Sequence, residues 1–288
     1  MSIGDAEIKT QERVIRFFKD PEILGYQYIG NLSDYQNKNI KEDRLRQYLR
    51  LKGYADKLID AAIMQLQQEA GNLSRGVYDA NKTVYSRLKY GIPVSESPEK
   101  PPVTVELIDE TNPLNNDFAI AEEVTVVEQQ EKRPDLVIYL NGIAVAVIEL
   151  KRSSISVSEG IRQNLTNQKD SFIRGFFTTM QFCMAGNESE GLRYGTLLTG
   201  EKFYMEWKDD GFKEHEEERD PVDVRISKTC EGIENKLLKQ IYAMFDKERF
   251  IDLIMNFVVF DKGIKKVCRY NQYFGIKRTQ QRLNNLRT

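Results

Sequence analysis

Asp135, Glu149 and Lys151 are the residues whose types and spacing could do chemistry. They stand at the outer ends of stretch 134–151, Pro-Asp-Leu-Val-Ile-Tyr-Leu-Asn-Gly-Ile-Ala-Val-Ala-Val-Ile-Glu-Leu-Lys. Two carboxylates and a lysine at one edge suit a hard divalent cation with a basic neighbour. Mg²⁺ takes one or two carboxylates and keeps several waters, which leaves room for a phosphate. The same residues also read as a strand cap at Asp135 and a solvated strand end at Glu149 and Lys151. The pattern alone does not choose between the two.

The elements that must position them come next. Two apolar runs flank Asn141-Gly142, a strong hairpin signal. A two-residue loop pairs Leu140 with Ile143 and puts Asp135 opposite Ile148, with Glu149 on the other face. A three-residue loop, Leu140-Asn141-Gly142, pairs Tyr139 with Ile143 and Asp135 with Val147. Then Asp135, Glu149 and Lys151 share one face, because side chains alternate with period two. Gly142 suits the left-handed position of that longer loop, so the three-residue register is expected. Both faces of the pair are apolar, with Leu136, Ile138, Ala144, Ala146 and Ile148 on one and Val137, Val145 and Val147 on the other. Strands apolar on both faces are buried on both, so helices are expected above and below the sheet.

The periodicity places helices at 5–18, 40–51, 54–69 and 80–89, an N-terminal helical layer against the sheet. Leu58, Ile59, Ala62, Ile63 and Leu66 recur at three and four, the spacing of a core-facing stripe. Strands are expected at 26–29, 104–108, 118–128, 181–185, 194–199 and 202–207. Residues 91–102 hold four prolines and read as a loop. A helix capped by Ser156 or Ser158 spans 154–172. Helices at 228–245 and 250–256 and a basic helical tail at 264–286 complete the chain. The expected organisation is one unit over 1–222 and a helical extension over 223–288. The early-helix acids Glu12 and Glu69 are conceivable helpers of the cation, and nothing selects either.

Composition narrows the classes. The 288 residues are 40% hydrophobic and 30% charged, with net charge −2 and a pI near 5.8, so charge overall does not advertise a polyanion partner. Charge is uneven, however: residues 96–131 hold ten Asp/Glu against one Lys, and 261–288 hold eight Lys/Arg against one Asp. The basic tail reads as a phosphate-contacting surface or as an ordinary solvated helix face. Cys183, Cys230 and Cys268 are far apart and His215 is the one histidine, which argues against zinc and against histidine acid–base chemistry. Sparse cysteines fit a reducing cytoplasm. No apolar run has the length of a membrane span, and no GxxxxGK[ST] phosphate loop occurs.

Arg133-Pro134-Asp135, the hairpin and Ile148-Glu149-Leu150-Lys151 resemble the PD-(D/E)xK nuclease core. More narrowly, the chain resembles the N-terminal endonuclease region of type I restriction enzyme R subunits. Supporting stretches are Asn112-Pro113-Leu114-Asn115-Asn116-Asp117-Phe118, Arg193-Tyr194-Gly195-Thr196-Leu197, Asn256-Phe257-Val258-Val259-Phe260-Asp261 and Arg269-Tyr270-Asn271-Gln272-Tyr273-Phe274. The resemblance implies an α/β fold: a restriction-endonuclease-like mixed sheet flanked by helices, with a helical N-terminal portion and a helical C-terminal extension. It implies hydrolysis of double-stranded DNA, with Mg²⁺ held by Asp135, Glu149 and the Leu150 carbonyl and with Lys151 orienting water. Arg152 and Gln163 are phosphate-contact or supporting candidates. The family carries Gln-x-x-x-Tyr on the helix after the site, and here Gln163 matches while Asn167 replaces the tyrosine. The resemblance further implies partner methylation and specificity subunits, and an ATP-driven motor in a longer subunit rather than in this chain. Rival readings are a stand-alone repair nuclease of the same superfamily and a non-catalytic docking module.

Overall fold

The computed structural model describes residues 3–97, 99–208 and 219–286. The acidic stretch 209–218, with His215, lies outside the described residues. Helix α1 (Ile3–Lys19) leads to strand β1 (Gln27–Asn31), then to α2 (Glu42–Leu51), α3 (Asp56–Gly71) and α4 (Val77–Tyr90). In α3 the expected stripe faces inward, with Leu58, Ile59, Ala62, Ile63, Leu66 and Ala70 all buried. A small hairpin, β2 (Ile92–Val94) and β3 (Val103–Val105), spans the proline-rich stretch.

Strand β4 (Phe118–Glu122) ends short of the expected run because Glu123 takes a positive φ of 50° and turns the chain. Residues beyond it form a separate pair, β5 (Val126–Val127) and β6 (Glu131–Lys132). The hairpin of β7 (Leu136–Leu140) and β8 (Ile143–Leu150) follows, then α5 (Val157–Asn167), β9 (Phe182–Asn187) and β10 (Gly191–Gly195). Ser156 caps α5, its hydroxyl accepting the Ser158 N–H.

The expected strand over 202–207 is not formed. A 3₁₀ turn, Glu201–Phe203, takes its first half, and only Met205 bridges back to Tyr194. Helix α6 (Pro221–Glu231) and α7 (Lys236–Phe245) replace the single helix expected over 228–245. The break comes where Asn235 accepts the Leu238 N–H and starts a new helix. Helix α8 (Lys247–Asn256) is followed by β11 (Val258–Asp261), β12 (Ile264–Val267) and α9 (Tyr270–Asn285). The basic tail is therefore not helical throughout. Lys262 and Gly263 both have positive φ, 48° and 80°, and close β11 and β12 into a hairpin.

The mixed sheet runs β1-β4-β7-β8-β9-β10, parallel at β1/β4 and β8/β9 and antiparallel elsewhere. Every residue of β7 and β8 is buried, and helices cover both faces, as the two-sided apolarity requires. One face packs against α1, α3, α7 and α8, the other against the loop holding Phe176, Phe177 and Met180, and against α5. Residues 223–288 supply Ile226, Ile241, Phe245 and Phe250 to the cluster that also holds Ile138 and Ile148.

The hairpin register differs from the expected one. Leu140 pairs with Ile143, so the loop is Asn141-Gly142 alone, with φ of 52° and 81°. Then Ile138 pairs with Ala146, Val137 with Val147 and Leu136 with Ile148. Val145 is the extra residue of a β-bulge, and it reverses the facing of what precedes it. Ala144 joins Val137 and Val147, and Val145 joins Ile138 and Ile148, opposite to the expected assignment of those two. The turn itself is buried. The Asn141 amide donates to Leu107 O and Asn116 Oδ1, and Gly142 O accepts the Lys41 N–H.

Candidate active site on the central hairpin

The bulge carries the register one residue past the two-residue-loop reading. Continuing the Leu136/Ile148 pairing by one step sets Asp135 opposite Glu149, on one face with Lys151. The expected common face is present, but the bulge inside β8 creates it rather than a longer turn.

Asp135 is anchored on both sides. Its carbonyl accepts the Glu123 N–H at 2.9 Å, and its Oδ2 accepts the Leu150 N–H at 2.7 Å. Glu149 is fully buried. Its Oε2 accepts from the Gln163 side chain at 2.7 Å, and its Oε1 has no donor. Lys151 donates its backbone N–H to Gly186 O at 2.9 Å. Its ammonium donates to Glu7 at 3.1 Å and to the Leu150 carbonyl at 3.0 Å. Gly160 of α5 lets that helix lie on β8 and β9, since a Cβ there would come within 2.9 Å of Ala185 Cβ and 3.4 Å of Glu149 Cβ.

Electrostatics follow from this crowding. Burial pushes the Asp135 carboxyl up to about 6, against the opposing pull of Lys151 and the Leu150 N–H. Burial, then the neighbouring Asp135 charge, pushes Glu149 well above the carboxylate range. Burial works against the Lys151 ammonium, but Asp135, Glu149 and Glu7 outweigh it and hold its pKa above the ordinary lysine value. Two buried carboxylates facing one another cannot both ionise cheaply. A proton held between them, or a cation, would satisfy Glu149 Oε1.

The structure thus brings together Asp135, Glu149, the Leu150 backbone, Lys151 and Gln163. Arg152 follows in the turn after β8, partly exposed and with no side-chain ion pair among the described residues. Asn167 is buried at the end of α5, its carbonyl accepting the Ile173 N–H. Neither conceivable early acid reaches the site. Glu12 is exposed, and Glu69 is engaged by Arg87 through Nε at 2.8 Å. Glu7 is the acid of α1 that does reach it, and Glu123 adds a negative charge acting on both Asp135 and Glu149. Sequence reasoning missed both. Glu7 lies 128 positions before Asp135, so only the packing of α1 against the sheet end joins them. Glu123 carried a local signal, since it stands beside Glu122 where the apolar alternation of β4 stops.

Residues 7–203 match the family model described as "Type I restriction enzyme R protein N terminus". The chain belongs to this family. Among its relatives is a putative type I restriction enzyme MjaVIIIP endonuclease subunit of Methanocaldococcus jannaschii, 27% identical over 92% of this chain and 24% of the relative. A putative MjaIXP endonuclease subunit of the same organism is 27% identical over 70% of this chain and 20% of the relative. The type I restriction enzyme HindI endonuclease subunit of Haemophilus influenzae is 25% identical over 68% of this chain and 18% of the relative. The chain therefore spans about a fifth to a quarter of the length of these relatives. The matched span contains Glu7, Asp135, Glu149, Lys151 and Gln163. No helix among the described residues is long and apolar enough to cross a membrane.

Proposed function

We propose that this R-subunit N-terminal region is a Mg²⁺-dependent endonuclease module that hydrolyses DNA phosphodiester bonds. One observation carries the reading: Asp135 and Glu149 meet at the sheet end with Glu149 Oε1 fully buried and without a donor. A buried polar atom left without a partner is costly, and a hard cation with oxygen ligands is the partner that this donor set fits. Asp135, Glu149 and the Leu150 carbonyl would hold Mg²⁺. When bound, the cation supplies Lewis acidity and a more acidic water.

The chain's own groups do the rest. Gln163 fixes the orientation of the Glu149 carboxylate, and the Leu150 N–H fixes that of Asp135. Lys151, held positive by its three carboxylate neighbours, acts as a cation and a hydrogen-bond donor rather than a base. It would offset charge gathering on the scissile phosphate. Arg152, partly exposed just after β8, would contact a flanking phosphate. Cleavage by this module would be non-specific in sequence. Because the relatives are endonuclease subunits several times longer, we place this activity within a longer cytoplasmic subunit. That subunit would work with methylation and specificity subunits, and cutting would follow ATP-driven translocation by a motor outside this chain.

The test is calorimetric titration of Mn²⁺ or Mg²⁺ into wild type and Glu149→Ala, with nicking of supercoiled plasmid followed in parallel. Wild type should bind and Glu149→Ala should not, and Asp135→Ala and Lys151→Ala should abolish nicking in the complete enzyme. Equal metal binding by wild type and Glu149→Ala would overturn the site.

A further inference from the structure

The Lys151 ammonium stands on the Leu150 carbonyl, 3.0 Å away, while Glu7 holds it from the other side at 3.1 Å. That carbonyl is the backbone oxygen assigned above to the cation. A carbonyl has two lone pairs, but an ammonium and a divalent cation on the same oxygen repel one another. Lys151 is therefore a competitor as well as a helper, since its charge answers the same carboxylates that the metal would answer.

Glu7 lies on a different element, and its surroundings differ from those of the pair. Its side chain keeps 33% of its exposure, against 15% for Lys151 and full burial for Glu149. Among the described residues it is the one anionic partner of Lys151 within ion-pair distance. A partly exposed carboxylate carries a charge at lower cost than a buried one. It can take the ammonium over when a second cation arrives.

Resting on the metal-dependent reading above, we infer that Glu7 is a positioning residue that draws Lys151 off the Leu150 carbonyl and so sets metal affinity. It acts through Lys151 and is not itself a ligand. With Glu7 in place, the ammonium has a receiving partner outside the metal's oxygens. Without it, Asp135 and Glu149 are the remaining anions beside Lys151, and the ammonium competes harder for the position.

A double-mutant cycle separates this from a ligand role. Mn²⁺ affinity is measured by calorimetry on the full chain for wild type, Glu7→Gln, Lys151→Met and the double variant, at about pH 8, where protons compete least. Glu7→Gln should weaken binding by roughly tenfold, and Lys151→Met should strengthen it by a similar factor. In the Lys151→Met background, Glu7→Gln should change affinity by less than about twofold. Glu7→Asp should restore most of the loss, and circular dichroism should show all variants folded. An equal loss from Glu7→Gln with and without Lys151 would make Glu7 a ligand and overturn the inference, as would no loss at all. If wild type binds no metal, the metal-dependent reading itself fails. If wild type binds, Glu149→Ala does not, and the cycle is additive, only the role of Glu7 fails.

Discussion

Burying Asp135 and Glu149 as carboxylates opposes folding when no cation is bound, and the opposition grows as pH rises. The Asp135 pKa is raised to about 6 by burial, so the folded state holds its proton where the unfolded state has released it. The folded state binds more protons between about pH 4 and 6, so stability is lost as pH rises through that window. Glu149, also raised, extends the loss upward. Asp135→Asn keeps an oxygen for the Leu150 N–H and removes the charge. In chelator near neutral pH it should be more stable than wild type by about 1–3 kcal/mol, and it should bind no Mn²⁺. Urea melts with and without metal read both effects. A destabilised Asp135→Asn would mean that the carboxylate is favourably paired as it stands.

Two elements position the candidate site, the bulged strand β8 and the helix α5. The bulge at Val145 sets the phase of Glu149 and Lys151, and Gln181 secures it by donating its N–H to Val145 O at 2.7 Å. Helix α5 brings Gln163 onto Glu149 because Gly160 permits a close approach. Gly160→Ala sets a methyl 2.9 Å from Ala185 Cβ, and overpacking of this kind costs about 1–3 kcal/mol. Lifting α5 also separates Gln163 from Glu149. We expect Gly160→Ala to lower the unfolding free energy in urea by that amount and to weaken Mn²⁺ binding. A fully stable variant with wild-type affinity would show that α5 is not under this constraint.

Over the whole molecule, the C-terminal hairpin is tied to the sheet through one buried lysine. Lys265 of β12 is 3% exposed, and its ammonium donates to Asn81 of α4, to Met180 O and to Gln181, all within 2.9 Å. Three oxygen acceptors match the three N–H bonds of an ammonium. Burial nonetheless pushes its pKa well down. The lysine joins residues 258–267 to α4 and to the start of β9, so the hairpin and the sheet should unfold together. Lys265→Met leaves Asn81 Oδ1 and Gln181 Oε1 buried without a donor, while Met180 O keeps the Asn81 amide, and should cost about 2–5 kcal/mol. Chemical denaturation would show the loss, and hydrogen exchange would show whether β11 and β12 open before the sheet.

Much of the fold was legible because its signals are local. Core stripes such as Leu58, Ile59, Ala62, Ile63 and Leu66 recur at helical spacing, and the two apolar runs beside Asn141-Gly142 mark a buried hairpin. These patterns specify helices on both faces of a sheet, and Asp135, Glu149 and Lys151 at the hairpin ends could be named as candidates. The register could not be read. A bulge leaves no compositional trace in Ile-Ala-Val-Ala-Val-Ile, where every residue suits either face. The break at Glu123 and the Lys262-Gly263 turn likewise rest on backbone angles that non-glycine residues seldom adopt. Glu7 entered the site only through the packing of α1, because an ion pair across so many residues depends on how helices seat on the sheet. Local periodicity determined most of the helices and the central hairpin, and residue type and spacing named the candidate groups at its ends. Long-range packing decided their phase, their protonation and the company they keep, because burial and facing charges exist only once the chain has folded.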